Sequence, residues 1–280
     1  MILVKQYIFA SLLTAIFASN AALANENATV DPMKSAAWPN IQKNLFGDRE
    51  VIYDSKNEVL EMFIPASAED ASTVPVIVRA KNFQSDKSWI KKIWLIADKN
   101  PSPIAGTFQF YRQSGLANVE TRMRIEEYTH IRAVAENNEG KLIMAARWIR
   151  AAGGCSAAKG GDGDEVAIGK VKFKIEDDVI ANQPNKVQVM IAHPNHSGMA
   201  LDALTQTRAD PYYVKHVEVS YQGTPVMTAD VDFSISQNPN FRFYFTPENK
   251  GGELKAEFVD TKDLTYKQTL AIVPGKVAAQ

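Results

Sequence analysis

Cys155 is the only cysteine in the chain. It stands in a run almost free of side chains, Ala151-Ala152-Gly153-Gly154-Cys155-Ser156-Ala157-Ala158-Lys159-Gly160-Gly161. A thiol titrates near ~8.5, and its thiolate is a strong nucleophile able to hold a group covalently through sulfur. Gly153, Gly154, Gly160 and Gly161 free the backbone, so the run reads as a thin, mobile arm presenting an attachment site. The Gly-Gly flank argues against a place in a core. Arg147, Arg150 and Lys159 favour the thiolate, and Asp162 and Asp164 oppose it. A hydrolase nucleophile needs rigid positioning, which such an arm denies.

The other candidate ligands are His193, His196 and Met199, spaced by three in a segment broken by Pro194 and Gly198. Imidazole and thioether groups suit copper. The plainer reading is a structural loop whose histidines bond backbone groups, and it is favoured. Asp162-Gly163-Asp164-Glu165 lacks the spacing of a calcium loop and reads as a solvated acidic turn. Met190 and Met227 read as core filler. There is no C-x-x-C pair, no C-x-x-C-H haem attachment, no G-x-S-x-G, no H-E-x-x-H, no phosphate-binding loop and no dinucleotide fingerprint. The sequence therefore predicts no bound cofactor and a carrier, not an enzyme.

The elements that must position Cys155 are strands. The composition, 45% hydrophobic and 22% charged, is that of a globular protein, and a net charge of -1 offers no footprint for nucleic acid. Residues 1–24 read as an export signal: a short basic start, an apolar core from Ile8 to Ala18, and Ala22-Leu23-Ala24 before the cut. That core is shorter than the ~20 residues a membrane span needs. Trp38 to Phe46 is a candidate short helix.

Candidate strands follow at 59–64, 74–80, 89–97, 104–111, 119–125, 130–135 and 141–149. A second series covers 170–175, 187–192, 214–221, 231–235, 241–245, 254–259 and 266–272. Asn137-Asn138-Glu139-Gly140 and Gln222-Gly223 are hairpin turns. The expected fold is all-β: two immunoglobulin-like sandwiches, 25–150 with the short helix and 166–280, joined by a Gly-rich cysteine-bearing arm over 151–165.

The segments around the arm resemble a known family. Ile93 to Pro103, with its Asp98-Lys99-Asn100-Pro101-Ser102-Pro103 turn, is similar to a segment of SoxY, a sulfur-carrier subunit, as are Thr121-Arg122-Met123-Arg124 and Gly153-Gly154-Cys155. Ile191-Ala192-His193-Pro194-Asn195-His196-Ser197-Gly198-Met199 and Ser234-Ile235-Ser236-Gln237-Asn238-Pro239 resemble segments of SoxZ. The order, Y then Z, is that of fused SoxYZ-like carriers associated with quinoprotein dehydrogenases. The chain departs from the family at the arm, where Ser156-Ala157 follows the cysteine and the chain runs on into a second domain.

The resemblance implies a periplasmic carrier in which Cys155 bonds a sulfur-containing cargo for partner enzymes. It also implies, as partners, a PQQ-type quinoprotein dehydrogenase or a c-type cytochrome. The alternative is a copper-binding protein using His193, His196 and Met199, or a structural accessory protein of a periplasmic dehydrogenase.

Overall fold

Alternation of apolar and polar residues builds most of this molecule. Val74, Val76, Val78 and Ala80 point inward while Pro75 and Arg79 face water, a two-residue period that a strand alone satisfies. The computed structural model describes residues 30–81, 84–85, 87–157, 167–201 and 205–275. The expected export signal, Gly160 and Gly161, and the acidic turn at 162–165 lie outside those residues.

Helix α1 (Trp38–Phe46) comes first. Eight strands fill the first half: β1 (Val51–Tyr53), β2 (Leu60–Phe63), β3 (Val74–Ala80), β4 (Ile90–Ala97), β5 (Ile104–Phe110), β6 (Val119–Met123), β7 (Thr129–Asn137) and β8 (Leu142–Ile149). Seven fill the second: β9 (Val171–Lys174), β10 (Asn185–Ile191), β11 (Val214–Tyr221), β12 (Thr224–Val231), β13 (Asn240–Phe245), β14 (Gly252–Asp260) and β15 (Thr265–Ile272). The fold is all-β, as the sequence predicts.

The strands form two sheets, and both sheets run through both halves of the chain. The larger has the order β1-β8-β7-β4-β5-β12-β11-β14-β15, the smaller β2-β3-β6-β13-β10-β9. The junctions are β5 with β12, antiparallel from Phe110 opposite Met227 to Gly106 opposite Val231, and β6 with β13 at Glu120 opposite Arg242. One apolar core fills the space between the sheets, from Leu60 and Val76 through Phe108 and Phe241 to Phe258 and Ile272. Phe108 and Phe241, one from each half, meet edge to face at 5.8 Å.

Sequence and structure differ at the joining strand. Of the expected strand at 231–235 only Val231 lies in a strand, as the last residue of one that starts earlier, at Thr224, and the chain then turns at 233–234. Its pattern was hidden for a physical reason. The β11–β12 register shifts between Val219 and Ser220, so Val226 and Met227 are buried side by side, and Pro225 masks the strand signal. The two turns fall where expected, with Gly140 at φ 82 and Gln222-Gly223 at φ 51 and 76.

The outer face of the larger sheet carries the N-terminal segment. Helix α1 places Trp38, Ile41 and Phe46 over Ile96, Val134, Leu142 and Met144. Beneath Trp38, Arg132 is fully buried and bonds both oxygens of Asp98 at 2.6 Å. Arg132 Nη2 also donates to Pro32 O, the Ser35 hydroxyl donates to Asp98, and the guanidinium lies 4.3 Å from the centre of the Trp38 ring. A buried ion pair holds only when its remaining hydrogen-bonding groups are satisfied, as these are. Asp98→Asn leaves the Arg132 charge uncompensated and should cost about 3–5 kcal/mol of stability. Urea unfolding should show a lower midpoint at unchanged slope; an unchanged midpoint would contradict this role for the pair.

Candidate functional site

The segment leaving β6 builds a platform for the cysteine. Arg124 N–H donates to Ser234 O, Ile125 N–H to Ala71 O and Glu126 N–H to Asn100 Oδ1. Asn100 is buried, and its amide also donates to Arg124 O and to Ser234 Oγ. The Asn100-Pro101 turn thus fixes the height of residues 124–126.

The chain leaving β8 lies down on that platform. Gly153 N–H donates to Glu126 O at 2.8 Å and Gly154 N–H to Ile125 O at 2.9 Å. Cys155 N–H and Ser156 N–H both donate to Glu126 Oε2, at 2.8 and 3.1 Å, and the Ser156 hydroxyl donates to Oε1 at 2.7 Å. The second half closes over the top: the Ser197 hydroxyl donates to Cys155 O at 2.5 Å and accepts Met199 N–H.

Cys155 is therefore 1% exposed, at the line where the two halves meet. This corrects the expectation of a thiol outside any core. Gly154 serves close approach and Gly153 a left-handed backbone. A Cβ on Gly154 would lie 2.0 Å from Ala71 O, and Gly153 takes φ 81.

Two loops of the second half grip this seam. Asn195 is fully buried, donates to Ile235 O and accepts Val214 N–H. His193 and Asn238 exchange backbone and side-chain bonds, tying the 193–199 loop to the 234–238 loop. Ser236 reaches the first half through Ser72 O and Arg122 O. Arg124 Nη1 crosses the seam in the other direction, to Phe233 O and Ile235 O.

Electrostatics keep the thiol protonated. Burial pushes Cys155 up to about 12, the Glu126 charge adds to the rise, Arg124 opposes it, and Asp232 adds to it. Asp232 is itself pushed up to about 6 by burial, against hydrogen bonds from Ser102 and Ser234. Burial also lowers Arg124, which the charge of Asp70 partly offsets.

The copper alternative finds His193 turned inward. It is 1% exposed, its Nδ1 accepts Asn195 N–H, and Nε2 faces Asp260 Oδ2 at 3.6 Å. That bonding fixes the proton on Nε2, and burial lowers its pKa, so the ring is neutral. Asp260 is held by Tyr212, Tyr266 and two backbone N–H groups. His196 is half-buried and its backbone pairs with Tyr212 in both directions. Ligation by His193 would require breaking its bond to Asn195. Among the described residues no three His, Cys, Asp or Glu side chains group as a metal site needs.

Sequence reasoning reached Asn100, Arg124, Asn195 and Ser197 only as members of segments with a resemblance, and it missed Glu126 and Asp232. Glu126 has one sequence signal, its place two residues beyond Arg124 in the turn between β6 and β7. Nothing local marks it as the partner of residues 153–156.

Comparison with known proteins follows this geometry. The family model described as sulfur oxidation protein SoxY matches residues 42–155, ending on Cys155, and the one described as sulphur oxidation protein SoxZ matches 171–271. Curated proteins give no match. Among solved structures, the sulfur carrier protein SoxY from Chlorobium limicola f thiosulfatophilum is 22% identical over 41% of this chain and 94% of its own, at a TM-score of 0.33. A superoxide reductase (neelaredoxin) from Ignicoccus hospitalis is 15% identical over 33% of this chain and 78% of its own, at 0.30.

The buried, protonated thiol should react slowly. At pH 8, iodoacetamide should modify native Cys155 at least about a hundredfold more slowly than the urea-unfolded chain, because the thiolate is the reactive form. Gly154→Ala should remove most of that protection by blocking approach to Ala71. Equal rates in native and unfolded wild type would contradict the buried position.

Proposed function

The chain is a SoxYZ-like fusion, a SoxY domain followed by a SoxZ domain, and from that premise we propose that it is a covalent sulfur carrier whose attachment site is Cys155. SoxY and SoxZ belong to sulfur oxidation as carrier and accessory proteins, not as catalysts. The observation that carries the assignment to Cys155 is its position. The only thiol of the chain stands on the seam between the two halves, held by Glu126 from one and Ser197 from the other.

A carrier must hold its cargo through a bond that forms and breaks without a cofactor. A sulfur–sulfur bond to one cysteine does this: joining the Cys155 thiol to a reduced sulfur compound gives up two electrons and two protons to an electron-accepting partner enzyme, and a thiolate that later attacks one sulfur releases the other as a thiolate. The carrier must also hide and show that sulfur. The bonds fixing residues 153–156 are each worth about 1 kcal/mol net, so a docking enzyme can exchange them for its own contacts.

The cargo is a reduced sulfur compound and the location is the periplasm, reached through the export signal at 1–24. No helix among the described residues is long and apolar enough to cross a membrane. The partners are periplasmic enzymes of sulfur oxidation, and the sequence resemblance adds a PQQ-type quinoprotein dehydrogenase or a c-type cytochrome.

Cys155→Ser tests the assignment. Extract from cells lacking the native protein should oxidise a reduced sulfur compound when supplied with wild type. The serine variant should support less than about 1% of that rate, since a hydroxyl forms no sulfur–sulfur bond. Full activity with the serine variant would end the carrier reading.

A further inference from the structure

We propose that Glu126 is the positioning residue of the cysteine segment, and that its charge makes the docked position accept an uncharged sulfur and turn out an anionic one. This deepens the reading of Cys155 as the attachment site and rests on it. Glu126 uses every acceptor it has on this segment. Oε2 takes the N–H groups of Cys155 and Ser156, Oε1 takes the Ser156 hydroxyl, and the main-chain oxygen takes Gly153 N–H. Its own N–H is anchored on Asn100.

None of these bonds involves the sulfur. Two cargoes of the same size therefore find the same bonds, whatever their charge. The charge on the cargo is then what distinguishes one docked state from another. Among the described residues two acidic groups act on the sulfur, Glu126 from the first half and Asp232 from the second. Among the described residues Arg124 is the cation that offsets them most, and its Nη1 is already bonded to Phe233 O and Ile235 O while Asp70 also attracts it. Like charges repel far more strongly where water is excluded than in solvent. A thiol or a neutral adduct meets no such repulsion. A sulfonate-ended or other anionic adduct meets it from both sides of the seam. An arm bearing an anion is turned out toward partner enzymes, and an arm returned to a neutral state docks again under Ser197.

A matched pair of adducts tests this. Cys155 is alkylated in urea with iodoacetamide or with iodoacetate, its thiolate displacing iodide in each case, and the protein is refolded. The carbamidomethyl and carboxymethyl products are nearly the same size and differ by one charge. Amide hydrogen exchange is then read at Cys155 and Ser156, the two N–H groups on Glu126.

The carboxymethyl form should exchange about tenfold faster than the carbamidomethyl form, the equivalent of one pKa unit of charge interaction. Glu126→Gln, whose amide oxygen still accepts both N–H groups, should remove most of that difference. Glu126→Ala should deprotect both amides even with the thiol free. Equal exchange of the two adducts in wild type, fast or slow, overturns the proposal, as does a difference undiminished in Glu126→Gln. No native cargo enters these measurements, so their failure leaves the attachment reading standing, and failure of that reading shows separately in the Cys155→Ser reconstitution.

Discussion

The backbone pairing of β5 with β12 is the constraint on which the molecule depends. Without it each half would end in a strand with unpaired N–H and C=O groups, a template for pairing with other chains. With it the larger sheet runs unbroken from β1 to β15, and β6 with β13 repeats the junction in the smaller sheet. The core follows: Phe108 packs on Phe241 only because both sheets cross the boundary together. A seam built this way is a fixed line in space, against which loops from the two halves can be aligned within hydrogen-bonding distance. Glu126 and Ser197, far apart in sequence, reach the same residue because of it.

What the seam holds is a compromise between protection and reactivity. A solvent-exposed thiol in an oxidising compartment is open to oxidation and to mixed disulfides. Burying it, and placing Glu126 and Asp232 near it, keeps the proton on and the sulfur quiet. The fixings are all polar and short-range: hydrogen bonds from residues 153–156 to one turn, and one hydroxyl from the facing loop. Such contacts release together when one partner moves, which suits the proposed alternation between closed and open positions. The tighter devices of the molecule, the Arg132–Asp98 pair and the bonds on Asp260, lie elsewhere and hold the frame on which the segment rests.

How much of this the sequence showed follows from the physics of each part. Helix α1 and strands such as β3 and β11 were legible because burial on one face imposes a period, and period is a local property. Strand β12 was not, since a register shift broke its alternation where it joins the two halves. Cys155 was legible as a singular residue, and the glycines beside it as permissive. Their purpose was not: glycine serves close approach as well as mobility, and only Ala71 at 2.0 Å from a Gly154 Cβ distinguishes the two. The loops at 193–199 and 234–238 were noticed through resemblance, whereas Glu126 is one of 32 acidic residues and owes its role to a contact across 29 positions. His193 was a low-ranked candidate ligand by type, with a structural loop role favoured; its particular bond to Asn195 is set by a loop geometry that spacing alone does not encode.

The central claim is that Cys155 carries the cargo, and the intact mass of the protein is its most direct test. The protein would be purified from periplasm of cells growing on a reduced sulfur compound, then weighed before and after reduction. The account predicts an added mass that localises to Cys155 and disappears with reductant, its size naming the cargo. An unmodified thiol throughout, in cells actively oxidising sulfur, would contradict it.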